Sequence, residues 1–372
     1  MMHPASRRIV CRYTFAVASA AAICVCTLAM SQQVPPVSFD ENAPPAKFLS
    51  QHNFFKDAAR QVPNDGVVPY DLNSPLFSDY TTKHRFVYLP EGTSAQYHED
   101  DVFDFPVGTV LIKTFGYLHD IRDASKGELI VETRLLVHRP DGWEGLPYLW
   151  DEDVTEATLK VAGARIDVEW THYDGERRTN NYLIPNMNQC KSCHEQSGAL
   201  QPIGPKARNI NKDYVYSHGT MNQIAHWASI GYLSGAPRPE GAPRLPVWNS
   251  AATGSLQQRA RAWLEINCMH CHNPKGSGNS TGFDLSYDQH DLLKYGFMKP
   301  PVAAGRGSGS LHFDIVPGKP EESILMYRIE SVDPGVMMPE LSRRLIDEEG
   351  NALVREWIRS LHPESLDLKD GD

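Results

Sequence analysis

Between residues 84 and 184 the chain alternates apolar and polar positions in short runs. Those at 85–89, 109–115, 129–137, 160–170 and 180–184 are rich in β-branched and aromatic residues, which suit a pleated, half-buried surface. Turn chemistry separates them at Pro90-Glu91-Gly92, Pro106-Val107-Gly108, Pro140-Asp141-Gly142 and Asp174-Gly175. The spacing predicts an antiparallel β-sandwich of about 100 residues. Just before it, residues 49–61 read as a short amphipathic helix with Leu49 and the Phe54-Phe55 pair inward. After it the period becomes helical. Ile224, Trp227 and Ile230 mark a helix over 222–233; Leu256, Ala260 and Trp263 mark one over 256–267. Pro320 suits the first turn of a helix over 321–330. Asp347 caps a last helix that buries Leu353, Trp357 and Leu361.

This patterning divides the chain into five stretches. Residues 1–31 carry Arg7, Arg8 and Arg12, then an alanine-rich apolar run and the small-x-small site Ala29-Met30-Ser31. That is the form of a secretory signal peptide, and the run is short for a membrane span. Residues 32–48 are a proline-rich linker, and 49–184 the β-rich domain. Residues 185–247 are loop-rich around one cysteine motif and close on a Pro/Gly linker. Residues 248–372 hold the second cysteine motif and most of the predicted helix.

The cysteines supply the chemistry. Cys190-Lys191-Ser192-Cys193-His194 and Cys268-Met269-His270-Cys271-His272 are two copies of C-x-x-C-H, the attachment signature of covalent haem c. Each cysteine forms a thioether to a haem vinyl group, and His194 and His272 become iron ligands. The other three cysteines, Cys11, Cys24 and Cys26, fall in the segment expected to be removed. The competing reading is one zinc site built from all four motif thiolates. It leaves the trailing histidine of each motif unexplained.

Charge and the remaining motifs narrow the function. The 372 residues carry a formal charge of −10, which becomes −13 when Arg7, Arg8 and Arg12 leave with the signal. An acidic chain is a poor ligand for nucleic acid or anionic lipid and is steered towards basic partners. Membrane association follows only if the N-terminal segment is retained. Gly305-Arg306-Gly307-Ser308-Gly309 follows no strand, so a dinucleotide site is not expected; Arg306 is a candidate partner for a haem propionate.

Residues 250–362 resemble a class I cytochrome c domain. The likeness is carried by the helix that runs into Cys268, by Pro334-Gly335-Val336-Met337-Met338-Pro339 ahead of the last helix, and by 316–325. The chain after the signal resembles a family of bacterial dihaem c-type cytochromes, on 69–79, on Glu132-Thr133-Arg134-Leu135-Leu136-Val137 and on 202–211. Patterning and resemblance together give the expected fold: a multidomain chain, with an N-terminal antiparallel β-sandwich-like domain followed by mainly α-helical c-type cytochrome domains.

The resemblance implies Met338 as the second haem's distal ligand, in preference to Met337, since a methionine directly before proline resembles the ligand loop of small bacterial cytochromes. For the first haem, Met221 is preferred over His218 and His226, and an open position is the remaining alternative. His270 is not expected to reach the iron held by His272. The function implied is one-electron transfer in the periplasm between a donor, such as a quinoprotein dehydrogenase, and a redox acceptor. The alternative is a dihaem peroxidase or oxidase with one open haem site.

Overall fold

A computed structural model describes residues 34–302, 305–362 and 364. The expected signal peptide lies outside the described residues. The chain separates into two units, Met1–Val34 and Pro35–Asp372, and every described residue but Val34 belongs to the second.

The centre of that second unit is a six-stranded antiparallel sheet of β1 (Val67–Tyr70), β2 (Thr82–Tyr88), β3 (Val110–Leu118), β4 (Glu128–Arg139), β5 (Gly142–Trp150) and β6 (Ala157–Leu159), in that order across the sheet. Side chains alternate between faces. Phe86, Val110, Ile112, Leu135, Val137 and Leu146 point to one face and join Leu49 and Phe54 in a core. Val87 and Leu111 point to the other face. They join a second core with Val68, Ala207, Trp227, Leu233 and Ile266. Both faces are therefore covered, which is why β3 is buried along almost its whole length. A separate hairpin, β7 (Ala164–Thr171) with β8 (Arg177–Ile184), packs Trp170 and Tyr182 on Tyr117.

Among the described residues six α-helices follow: α1 (Cys190–His194), α2 (Ala207–Ile210), α3 (Gln223–Ser229), α4 (Leu256–Leu264), α5 (Ile324–Ile329) and α6 (Glu348–Ser360). Helix α4 starts at a capping box, with Ser255 and Gln258 each bonded to the other's backbone N–H, and passes into a π-turn over Glu265–Met269. Asp347 caps α6 through the Gly350 N–H at 2.9 Å and accepts from Trp263 Nε1 on α4 at 2.9 Å. Trp263, Leu264, Leu353 and Trp357 close this third core.

The expected fold class is corrected on two points. The large sheet is not half of a sandwich. Short helices, two-residue strands and irregular chain cover its faces, because the proline- and glycine-broken segments before residue 64 and after residue 184 support no second large sheet. The chain after residue 184 is also not a run of mainly helical cytochrome domains. Among the described residues only α4 and α6 exceed seven residues. Between them Pro274, Gly276, Gly278, Gly282, Gly296, Pro300 and Pro301 break the chain into turns. The predicted helix over 49–61 is one 3₁₀ turn, Leu49–His52, ended by Asn53 in the left-handed region at φ 54°.

Candidate functional site

The two C-x-x-C-H motifs, 78 positions apart in sequence, lie against each other. Ser192 carbonyl accepts from Cys271 Sγ at 3.4 Å and from Ser277 Oγ at 3.0 Å. Gln196 Nε2 donates to the His270 carbonyl at 2.6 Å, and Ser197 N–H to the Lys275 carbonyl at 2.8 Å. The Cys193 and Cys271 thiols are neighbours. Their proximity holds Cys193 well below the usual thiol range and raises Cys271. The other two thiols diverge. Cys190 packs on Gly145 of β5, where a Cβ would come within 2.8 Å of its sulfur. Cys268 is buried in the α4–α6 core, and burial pushes its thiol up to about 12. Among the described residues no three His, Cys, Asp or Glu side chains converge to hold a metal ion, so the four thiols do not form a zinc cage.

Each trailing histidine is held in one tautomer. His194 Nδ1 donates to the Gln201 carbonyl at 2.8 Å. His272 Nδ1 lies 3.2 Å from Thr281 Oγ1, whose own proton goes to the Gly278 carbonyl at 2.7 Å. The threonine oxygen therefore accepts, and His272 Nδ1 carries the hydrogen. Both rings keep Nε2 as the basic nitrogen, the arrangement a metal-ligating histidine needs. Burial lowers both histidines to about 4, so both rings are neutral at physiological pH. Gly278 lets its backbone approach the His272 ring; a Cβ there would sit 3.0 Å from Nδ1.

Cys190, Cys193 and His194 open onto a cavity against the second face of the sheet. Leu72, Leu111, Leu136 and Ile203 are among its apolar walls, and Pro339 and Ser342 close one side. Its floor is a row of bases. Arg85, Lys113 and Arg134 stand directly opposite one another on β2, β3 and β4. Like charges at such positions repel. Arg134 is matched by Glu132, at 2.9 Å from Nε and 2.5 Å from Nη2. Arg85 donates to Asp71 at 2.9 Å, but its Nη2 is buried with no partner. Among the described residues Lys113 has neither a hydrogen bond nor a carboxylate; its ammonium lies 4.7 Å from the Phe115 ring centre. Burial, then the charges of Arg85, Lys83 and Arg134, hold Lys113 well below the usual lysine range. Sequence reasoning missed these residues: each is a mid-strand base with an apolar neighbour on one side only, and it is the register that makes them a row.

The cavity's volume is about 180 Å³, and it adjoins a cleft of about 1500 Å³ through Pro202, Ile203 and His270. The residues fit a covalently attached haem in chemistry: two thiols and a histidine with a free Nε2, apolar walls, and bases short of anions.

Other expected residues lie elsewhere. Met221 is 38% exposed on the hairpin of Asp213–Tyr216 and Gly219–Asn222. His218 and His226 stack beside Tyr216. None of the three lines the cavity. Arg306 is exposed and paired with Asp333 at 2.6 Å. Met337 is buried and Met338 half-buried. Met338 N–H donates to the Arg328 carbonyl at 3.1 Å, and the Arg328 charge also acts on His272.

No protein-family model, curated protein or solved structure matches the chain. With no family match, and with the β-rich architecture described above, the resemblance to a dihaem cytochrome family with a class I domain is not upheld. Among the described residues no helix is long and apolar enough to cross a membrane.

Proposed function

We propose that this chain is an exported electron carrier holding two covalently attached haem c groups. The observation that carries the reading is the pair of C-x-x-C-H motifs packed against each other, each histidine fixed with Nε2 free. A haem bound in this way supplies a one-electron Fe(III)/Fe(II) couple. Cys190, Cys193 and His194 hold one group, and Cys268, Cys271 and His272 the other. Met338 is the sixth ligand proposed at His272, where a thioether favours the reduced iron. Arg85, Lys113 and Arg134 receive the carboxylates of the group at the first motif. The contact between Ser192 and Cys271 keeps the two groups' attachment points adjacent, which suits passage of single electrons from one to the other.

The donor and acceptor are proposed as periplasmic redox proteins, a dehydrogenase on the donor side. The net charge of −13 left by signal removal steers the chain towards basic docking faces. The deciding experiment is expression with a working haem-attachment system, followed by intact mass and a haemochrome assay. Two haems per chain that survive acid-acetone extraction are expected; one or none sinks the proposal. Met338→Ala should then lower one of two midpoint potentials. If Met337→Ala does so instead, the ligand is the neighbouring residue.

A further inference from the structure

We propose that His270, a residue of the second motif, supplies the sixth ligand to the iron of the first motif. The inference rests on the reading that Cys190–His194 carry a haem. Three observations place His270 in the first motif's cavity. It lines that cavity together with Cys190, Cys193 and His194. It neighbours Cys193 and acts electrostatically on His194. It is only 5% exposed, and its Nδ1 has no hydrogen-bond partner. A buried, unpartnered ring nitrogen costs folding free energy, and a ligand that uses it removes that cost.

Elimination leads to the same residue. The sixth position needs nitrogen or sulfur of low enough basicity to bind iron. Of the cavity-lining side chains, Cys190 and Cys193 are consumed as thioethers and His194 is already a ligand. The arginines keep their protons under all relevant conditions. No methionine lines the cavity, and His218, Met221 and His226 lie outside it. His270 and Lys113 remain. Lys113 stands between Arg85 and Arg134 in the basic row, where its role is to meet an anion. Attachment of the second haem does not call for a histidine at position 270, because the first motif has Ser192 at the equivalent place.

The placement also has a structural consequence. The motif that holds one haem would close the iron of the other, so the ligation of the first centre would depend on the folded position of the second motif. The backbone of His270 is already tied to the chain just after the first motif, its carbonyl accepting from Gln196 Nε2 at 2.6 Å.

The test uses the full chain carrying both haems. His270→Ala should convert one of two low-spin ferric signals to high spin in electron paramagnetic resonance, with matching optical changes, and added imidazole should restore it. His270→Met should keep both haems low-spin and raise one midpoint potential, since thioether replaces imidazole. Two low-spin haems in His270→Ala overturn the ligation, as does a high-spin signal that appears in Lys113→Ala instead. Haem stoichiometry by mass separates these outcomes from failure of the parent reading: a wild-type chain with no haem on Cys190 and Cys193 overturns both.

Discussion

Replacing Lys113 by Met should stabilise the chain when it lacks haem and destabilise it when haem is attached. Lys113 faces Arg85 on one side and Arg134 on the other. With strands about 5 Å apart, charges on such side chains stand roughly 6–8 Å from one another, a repulsion of ~2–3 kcal/mol per pair at an effective dielectric constant near 20. Asp71 and Glu132 cancel part of this, since each is bonded to one of the arginines. A residue of about 1–3 kcal/mol is left for Lys113→Met to relieve, and methionine preserves the apolar stem. The gain has a ceiling: a lysine can escape the repulsion by giving up its proton, at about 4–5 kcal/mol at pH 7 for an ordinary lysine.

The pH dependence follows from the direction of the Lys113 shift. Its folded value is depressed by burial and by Arg85, Lys83 and Arg134, against the opposing pull of Glu132. The unfolded chain therefore binds more protons between the folded and unfolded values, and stability rises with pH across that window. The advantage of Lys113→Met is full below the folded value and fades to nothing by about pH 10.4. Attached haem reverses the sign, because the ammonium gains a carboxylate and a charge-assisted bond of ~1.5–3 kcal/mol is then lost. The assay is urea unfolding of the loaded chain and of a chain with all four motif cysteines changed to serine, each with Lys or Met at 113, from pH 7 to 10.5. The same sign in both forms would show that the basic row is not an anion site.

Three further outcomes are expected. The haem-free chain should lose stability below pH 6.5: the folded values of His194 and His272 lie at about 4, so the unfolded chain takes up protons first, at up to about 3 kcal/mol per histidine; His→Gln at either position should flatten the urea-unfolding profile between pH 6.5 and 4. Gly145→Val should reduce haem attachment at the first motif alone, because a Cβ there meets Cys190 Sγ at 2.8 Å and Cβ at 3.1 Å; intact mass showing two haems at wild-type yield would refute this. With both irons closed by side chains, hydrogen peroxide should be consumed far more slowly than at enzyme rates of about 1–1,000 per second, and stopped-flow turnover in that range would favour the peroxidase alternative.

Strand periodicity was legible where β-branched residues dominate, and the predicted runs at 109–115 and 129–137 lie within or next to β3 and β4. Strand β5 is hidden in the sequence because Gly142, Gly145 and Pro147 dilute its pattern. Its neighbours hold Pro147 in register opposite Arg134, and Gly145 is there for the approach of Cys190 rather than for strand propensity. The helix over 49–61 failed for the opposite reason. Its apolar spacing is real, but Leu49 and Phe54 reach the same core through a left-handed turn at Asn53, an outcome periodicity does not register. Both motifs were plain in the sequence, their contact was not. Ser192 and Cys271 meet only because the irregular chain after Pro185 folds back over the sheet, and no local pattern encodes that pairing.

Several local rules of folding are broken in this one place. Three bases share a cross-strand row, one of them with an aromatic ring but no carboxylate beside it. Arg85 Nη2 and His270 Nδ1 are buried and unsatisfied. A glycine replaces a strand former so that a cysteine can approach the sheet. Each departure lowers stability on its own; buried unsatisfied atoms also occur elsewhere, among them Tyr97 Oη, Tyr295 Oη and Trp357 Nε1, so it is the combination of these departures that marks this place. Their convergence on the cavity of Cys190, Cys193 and His194 is what a site built for a bound group requires, since departures from local consistency concentrate where function demands them. One group answers all of them together: an apolar ring with two carboxylates, thioether links to the cysteines, and a metal that takes imidazole nitrogen. A structural role for the same residues accounts for the ion pairs of Arg134 and Arg85, but gives no reason for the lack of a carboxylate at Lys113 or the empty nitrogen of His270. Those two groups therefore discriminate between the readings better than the motifs themselves.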